Sequence, residues 1–266
     1  MPAAEVSHET APAADLALIL DAAREAGRIA MRFFKRNPEV WMKGGQSPVS
    51  EADYAVDTYL RETLLAARPD YGWLSEETAD SPDRLNSRRT FVVDPIDGTR
   101  AFLDGRSTWC VSIAVVENGE PVAGVLDCPG KSEIFSATAG NGALRDGDVI
   151  RVKPPGETFV VAGPKQLVEA TPADLRERFT TVPYIPSLAY RIAMVAKGEL
   201  DATFVKPNAH DWDLAAADLI LREAGGQVVD RRGRTLHYAS ANPRHGALAA
   251  GSGLLLKSMT GVIAGF

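Results

Sequence analysis

Apolar residues recur at spacings of three and four through Leu16, Ile19, Leu20, Ala23, Ala26, Ile29, Ala30 and Phe33. That period predicts an amphipathic helix over residues 16–34. It closes at Asn37-Pro38, because a residue before proline leaves the helical region. Ser50 and Asp53 have the spacing of a capping box and open a second helix that runs to Ala67. The pattern then changes to short apolar runs bounded by turn residues, which read as strands at 71–74, 91–93, 110–116, 121–126 and 131–137. Residues 110–116 are apolar on both faces, as expected of a strand buried on both sides. Asn118-Gly119 signals a hairpin, and Arg145-Asp146-Gly147-Asp148 another turn. Gly140-Asn141-Gly142-Ala143 fits no phosphate-loop template and reads as a turn between strands. Residues 41–43 read as extended, 44–48 as a mobile loop and 80–89 as a surface loop. Further on, strands are expected at 159–161, 202–205 and 246–251, and helices at 171–179, 187–197 and 254–263. Between them a helix from Trp212 carries Ala215, Ala216, Leu219 and Ile220 on one face and stops at Gly225-Gly226. The meander in the middle of the chain predicts a mostly antiparallel sheet and argues against a doubly wound parallel one.

Length and charge narrow the picture. The 266 residues can bury a substantial core without staples. Residues 1–13 read as a flexible tail and 14–266 as a single domain, with a sub-domain boundary near 154–157 at Pro154-Pro155-Gly156. Lys and Arg number 29 and Asp and Glu 35, so the net charge is 29 − 35 = −6. No basic face for a nucleic acid polymer is expected from that balance. Two cysteines, Cys110 and Cys128, make neither a disulfide framework nor a zinc cage. The N-terminus lacks the order of a signal peptide and no apolar run reaches membrane-spanning length, so the expected place is the cytoplasm.

The candidate chemistry centres on Phe91-Val92-Val93-Asp94-Pro95-Ile96-Asp97-Gly98-Thr99-Arg100-Ala101-Phe102. An apolar run ends there in two carboxylates three residues apart, followed by Gly-Thr. It reads either as a strand ending in an Asp-Gly turn or as a strand delivering a metal and phosphate site. Glu76-Glu77 follow another strand-like run, and a strand end sends them to opposite faces, so one faces a ligand and the other supports it. Asp53 is either a helix cap or a group aimed at metal-bound water. Asp211 and Asp213 both open a helix, where one cap suffices. Lys43 is a surface lysine or a charge facing an anionic site, and the role of His210 stays open. Together Glu76, Asp94, Asp97 and Asp213 offer the oxygen ligands Mg²⁺ prefers. Two such ions can clamp a phosphoryl displacement. Asp94 at the strand tip would bridge them, and Asp97 would serve the second. Backbone N–H groups of Gly98 and Thr99 would meet the phosphate, with Gly98 allowing close approach.

These stretches carry a resemblance. Asp94 to Phe102, with Glu76-Glu77 before it, Trp212-Asp213-Leu214-Ala215-Ala216 after it and Ser47-Pro48-Val49-Ser50-Glu51-Ala52-Asp53 upstream, resembles the inositol monophosphatase family of Mg²⁺-dependent, lithium-sensitive phosphatases. The four motifs occur in the family's order. The resemblance implies an α+β fold, a layered α/β/α/β/α sandwich of the inositol monophosphatase and fructose-1,6-bisphosphatase type, and a homodimer. It implies two to three Mg²⁺ ions. Glu76, Asp94 and the Ile96 carbonyl would hold the first, and Asp94, Asp97 and Asp213 the second. Thr99, supported by Asp53, would orient the attacking water with Glu76. Gly98 and Thr99 would hold the phosphate of a small phosphorylated metabolite. No covalent enzyme intermediate and no membrane partner are implied.

The substrate is left open by departures from any one subfamily. Inositol-specific members commonly carry an acid where this chain has Val205-Lys206, and Lys206 suits a second anionic group. Arg100-Ala101 looks closer to histidinol-phosphate phosphatases of the family, whereas Ser187-Leu188-Ala189-Tyr190 resembles the 3′(2′),5′-bisphosphate nucleotidase type. Two rival classes are weaker. Aspartyl-phosphate phosphatases start from Asp-x-Asp, and the pair here is Asp-x-x-Asp. A non-catalytic cation- or polyol-binding module would have lost carboxylates, and none is lost.

Overall fold

A computed structural model describes residues 11–44 and 47–266. The tail expected over the first ten residues, and the loop residues Gly45 and Gln46, lie outside the described residues. The chain runs α1 (Ala11–Phe33), β1 (Val40–Lys43), β2 (Ser47–Ser50), α2 (Glu51–Ala67), β3 (Gly72–Ser75), β4 (Arg89–Asp97), α3 (Thr99–Leu103), β5 (Cys110–Glu117) and β6 (Glu120–Cys128). It continues through β7 (Glu133–Thr138), β8 (Ala143–Arg145), β9 (Asp148–Ile150), β10 (Phe159–Ala162), α4 (Lys165–Glu169), α5 (Ala173–Arg176) and β11 (Phe179–Thr181). The remaining elements are α6 (Leu188–Ala196), β12 (Ala202–Val205), α7 (Asp211–Glu223), β13 (Gln227–Asp230), β14 (Leu248–Gly251) and α8 (Gly253–Ile263).

Five layers result: α1 and α2, then a seven-stranded sheet, then α6 and α7, then a five-stranded sheet, then α8. The large sheet has the order β3-β4-β5-β6-β7-β8-β9, and only β3 and β4 pair in parallel. The small sheet has the order β11-β10-β12-β14-β13 and is mixed. This is the expected layered sandwich.

The apolar pattern explains the layering. In β5 the residues Val111, Ile113 and Val115 join the core under α1 and α2, whereas Cys110, Ala114 and Val116 join the core shared with α6 and α7. Alternation along a strand puts successive side chains on opposite faces, so a strand apolar throughout must be covered twice. A third core, with Val161, Phe204, Ala249 and Met259, seals the small sheet against α8.

Several expectations need correction. Helix α1 reaches back to Ala11, into the stretch read as tail. Ser47–Ser50 is a strand rather than loop, with Pro48 opposite Met42; a two-stranded ribbon has open edges where proline's missing N–H costs little. Residues 80–89 do not form a simple surface loop. Pro82–Asn86 is a 3₁₀ turn, and Arg84 and Arg89 are buried. Each has found its carboxylates, Arg84 through Asp80 at 2.6 Å and Arg89 through Asp15 at 2.8 Å and Glu117 at 3.0 Å. The helix expected over 171–179 shrinks to Ala173–Arg176, and Phe179–Thr181 becomes a strand because it pairs with β10. Helix α4 and strand β13 were not anticipated.

Helix α7 lies close on the large sheet because β6 offers a glycine. A Cβ on Gly124 would sit 3.1 Å from Ala216 Cα and 3.2 Å from its carbonyl oxygen, both backbone of α7. Gly124→Val should therefore lift α7 and destabilise the fold by about 1–3 kcal/mol. Urea unfolding of the variant beside wild type measures this; an unchanged midpoint would show that the helix has room to spare.

Candidate active site

Asp94 and Asp97 sit three residues apart, and in a regular strand that odd spacing would send them to opposite faces. The structure resolves this with a bulge. Asp94 is opposite Ser112 and Asp97 opposite Cys110, so β4 spends one residue more than β5. A bulge re-aims side chains at a strand end. Ligand oxygens of Asp94, Asp97 and Asp213 consequently lie within 4.8 Å of one another.

Each acid is fixed by an element end. Asp94 is buried and accepts the N–H of Ile96 at 3.0 Å. Asp97 lies at the start of α6 and accepts the Leu188 N–H at 3.2 Å, the Ala189 N–H at 2.6 Å and the Ser187 hydroxyl. Helix N-termini present free N–H groups and favour negative charge, which stabilises this buried carboxylate. Asp213 is the third residue of α7, and its Oδ2 accepts the His210 N–H at 2.7 Å. His210 precedes α7 and stacks on Trp212 at 4.5 Å between ring centroids. Asp211 is spared capping. It is buried, accepts the Ala239 N–H at 2.7 Å and meets His245 Nε2 at 2.7 Å. Two acids at one helix start thus serve two different neighbours.

Gly98 follows the bulge with φ of +95°. A Cβ there would lie 3.1 Å from the Thr108 carbonyl and from Ser187 Cβ, so a side chain is excluded by space as well as by conformation. Thr99 opens α3, and its hydroxyl is placed to donate to Asp53 Oδ1 at 3.2 Å and to the Ile96 carbonyl at 3.1 Å. Asp53 does both things the sequence left open. Its Oδ2 accepts the Ser50 N–H at 2.8 Å and the Ser50 hydroxyl at 2.6 Å, while Oδ1 holds Thr99.

Glu76 and Glu77 part as expected from a strand end. Glu76 keeps 25% of its side chain open to the cleft, and Glu77 is 2% exposed. Lys43 sits over the pair. Its ammonium is bonded to Glu77, donates to the Glu76 carbonyl at 3.1 Å and lies 4.0 Å from Glu76 Oε1. Lys43 therefore faces the acidic wall rather than solvent. Glu76 lines the cleft but is not part of the 4.8 Å set of three aspartates.

The cleft has a volume of about 350 Å³ and joins Glu76, Asp94, Asp97, Gly98, Thr99 and Asp213 to Lys206 and Arg191. Asp53 stands behind Thr99 rather than in the lining. Sequence reasoning missed Arg191, and it named Ser187 and Ala189 only within a subfamily motif, not as partners of Asp97. Ser187 before an apolar helix was a legible cap, but no local signal ties it to Asp97. Another cleft, of about 340 Å³, lies beside α8, and its one acid, Asp201, is paired with Lys153.

Burial and mutual repulsion push these carboxyls upward. Glu76 is raised to about 8, first by burial and then by Asp213 and Glu77, against the pull of Lys43. Asp213 is raised to about 7 by burial and then by Asp97. Asp94 rises well above its ordinary value through burial and then Glu76 and Asp97. The donor set is all oxygen, and the aspartate oxygens converge, which fits a hard divalent cation. A cation placed there would reverse the repulsion.

The layer order and the acidic cleft define a layered phosphoric monoester hydrolase. The chain belongs to the inositol monophosphatase family, whose profile matches residues 13–263. It is 35% identical over 229 residues to the Nus factor SuhB of Xylella fastidiosa, covering 81% of this chain and 82% of that protein. It is 33% identical over 260 residues to the histidinol-phosphatase of Mycobacterium tuberculosis, covering 91% of this chain and 94% of that one. Among solved structures, the extragenic suppressor protein SuhB of Bartonella henselae matches with a TM-score of 0.81 at 29% identity, covering 94% and 98% of the two chains. No helix among the described residues is long and apolar enough to cross a membrane.

The raised carboxyls set a pH dependence. Unfolded, Glu76 and Asp213 titrate near 4.5 and 3.8; folded, near 8 and 7. Below the unfolded values both states are protonated and the difference vanishes. As pH rises from there to about 8, the unfolded chain gives up protons that the folded site keeps, so the cluster's contribution to stability falls. Added Mg²⁺ should therefore raise the melting temperature more at pH 8 than at pH 5.5. Thermal melts with chelator and with Mg²⁺ at both values test this, and an equal gain at both would contradict it.

Proposed function

We propose that this chain is a Mg²⁺-dependent phosphomonoesterase acting on a small phosphorylated metabolite of the inositol monophosphate or 3′(2′),5′-bisphosphate nucleotide type. The convergence of Asp94, Asp97 and Asp213 beside the Gly98-Thr99 turn carries that reading. These three aspartates, with Glu76 and the Ile96 carbonyl beside them, would hold two to three ions. When bound, Mg²⁺ supplies charge stabilisation for the phosphoryl group and a lowered pKa for water.

The remaining roles belong to the chain. Backbone N–H groups of Gly98 and Thr99 bind phosphate oxygens at the start of α3. The Thr99 hydroxyl gives its proton to Asp53 or to the Ile96 carbonyl, which leaves its lone pairs to accept from the attacking water. Glu76, open to the cleft, takes that water's proton. The mechanism uses no covalent enzyme intermediate. Lys206, which makes no ion pair within 4.0 Å among the described residues, receives a second anionic group. We further infer one catalytic unit over 14–266, with the sheets joined near 154–157, in a lithium-sensitive, cytoplasmic homodimer. A histidinol-phosphate substrate is the second reading, supported by Arg100-Ala101 and by the name of the mycobacterial relative.

Asp94→Asn should lower phosphate release by several orders of magnitude at saturating Mg²⁺, because one ligand serves the shared cluster; near-wild-type turnover would sink the metal account. Lys206→Ala should raise KM for 3′-phosphoadenosine 5′-phosphate and leave that for inositol 1-phosphate little changed. A release panel over these two, histidinol phosphate and fructose 1,6-bisphosphate, with and without Li⁺, separates the substrate readings. Equal effects of Lys206→Ala on all four would remove its role in selection.

A further inference from the structure

Asp211 is fully buried, yet it is not in the lining of the catalytic cleft. Both its oxygens are taken by one loop, the stretch 231–247 between β13 and β14. Oδ2 accepts the Ala239 N–H at 2.7 Å, and Oδ1 meets His245 Nε2 at 2.7 Å. A carboxylate only accepts, so Nε2 of His245 carries the proton and donates it. The imidazole is largely enclosed, with 11% of its side chain exposed. Ala239 takes a φ of +55°. A residue with a Cβ is uncommon there and persists where its surroundings over-determine it. Here they do: the Ala239 N–H is held by Asp211, and its carbonyl accepts from the buried Arg84 at 2.8 Å. Arg84 also reaches the Ser240 carbonyl at 2.9 Å and is itself paired with Asp80. Backbone bonds complete the junction. Asn208 donates to the His245 carbonyl, His245 to the Ala209 carbonyl and Asp211 to the Pro243 carbonyl, each at 2.9 Å.

We propose that His245 is a positioning residue: by holding Asp211 it sets the rotation of the first turn of α7 and so aims Asp213 into the cleft. The inference rests on the reading of Asp213 as a metal ligand and adds what keeps it in place. Asp211 and Asp213 are the first and third residues of α7. At 3.6 residues per turn their side chains point about 200° apart, to nearly opposite sides of the helix. A contact that draws Asp211 into the loop therefore turns Asp213 away from the loop and toward the cleft, whose wall it joins. The backbone bonds hold the chain as it enters the helix, and the Asp211 side chain acts on the first turn itself. Seven residues on, along the same face, Asp218 accepts from Tyr238 of the same loop at 2.9 Å. That bond braces the body of the helix rather than the turn that carries Asp213. The loop thus grips α7 at two points, and only the His245 point bears on the site.

Cation binding tests this without recourse to turnover. Mn²⁺ is the probe, since it shares the preference of Mg²⁺ for carboxylate oxygens and free Mn²⁺ is counted by electron paramagnetic resonance. Full-length protein is stripped with chelator and titrated, and melting temperatures are taken in chelator alongside. His245→Phe, which keeps a ring and loses the donor, should weaken Mn²⁺ binding by about tenfold or more. His245→Gln, whose amide N–H takes the place of Nε2–H, should return it to within about threefold of wild type. Tyr238→Phe removes the other grip. It should lower the melting temperature and leave Mn²⁺ affinity within about twofold of wild type. Unchanged affinity in His245→Phe would overturn the proposal. So would a glutamine variant no better than the phenylalanine one, or a loss of affinity in Tyr238→Phe as large as in His245→Phe, which would mark both as general loosening. Should His245→Phe fail to fold, Asp211→Ala takes its place, because it removes the tether together with the carboxylate that needs a partner. The same loss is expected, and wild-type affinity there overturns the proposal. A wild type that takes up no Mn²⁺ ends the metal reading itself and the proposal with it, an outcome distinct from a loss confined to the His245 variants.

Discussion

Carboxylates forced together inside one cleft are the constraint on which the rest of this structure depends. Burial raises the pKa of all four, Glu76, Asp94, Asp97 and Asp213, and Glu76, Asp97 and Asp213 each push at least one other further upward. Left alone, such a cluster works against folding at neutral pH. The scaffold must therefore be strong where the site is weak. It is: β4 is buried along its whole length, with Phe91 and Val93 in one core and Val92 in the next. Asp94 and Asp97 stand at the end of the longest fully buried strand among the described residues, where backbone movement that would relieve the repulsion is restricted.

The division of labour within each carboxylate is equally physical. Asp53 uses Oδ2 for the start of α2 and Oδ1 for Thr99. Asp213 uses Oδ2 for the start of α7. Asp97 spends Oδ2 on Ser187 and Ala189 and Oδ1 on Leu188. In Asp53 and Asp213 one oxygen holds a helix start and the other is left for the site, whereas both oxygens of Asp97 are held by the start of α6. This explains how functional side chains at helix starts stay in place. It also dissolves the choice between cap and catalyst posed by the sequence, because capping is what aims the second oxygen.

Much of this was legible from residues alone, and the reasons the rest was not are specific. Phe91 to Phe102 and Trp212 to Ala216 were readable because site chemistry concentrates several unusual residues in a short span. The layered fold was implied by the resemblance those motifs carry; the apolar pattern alone gave amphipathic helices and a mostly antiparallel sheet. The bulge between Asp94 and Asp97 was hidden, since a bulge is defined by the partner strand and leaves no periodic trace. Arg84 and Arg89 looked like surface charges because local composition cannot show that Asp15, fifty or more residues away, comes to meet Arg89. The strand Ser47–Ser50 was missed for its proline, and Phe179–Thr181 was absorbed into a helix because the pairing that makes it a strand is long-range.

Charge in the cleft is divided by layer. The acids come from β3, from β4 and from the start of α7, all against the large sheet; Lys206 follows β12 of the small sheet, and Arg191 stands on α6 between the two. A ligand in this cleft meets negative charge on one side and positive charge on the other. The acidic wall is a set of oxygen donors whose repulsion a divalent cation would relieve. Arg191 acts on Asp97 from the basic side and favours its ionised form. The acidic and basic sides of the cleft thus come from different parts of the fold. A net charge of −6 is no obstacle, because an anion is admitted by the local field and not by the sum over the surface.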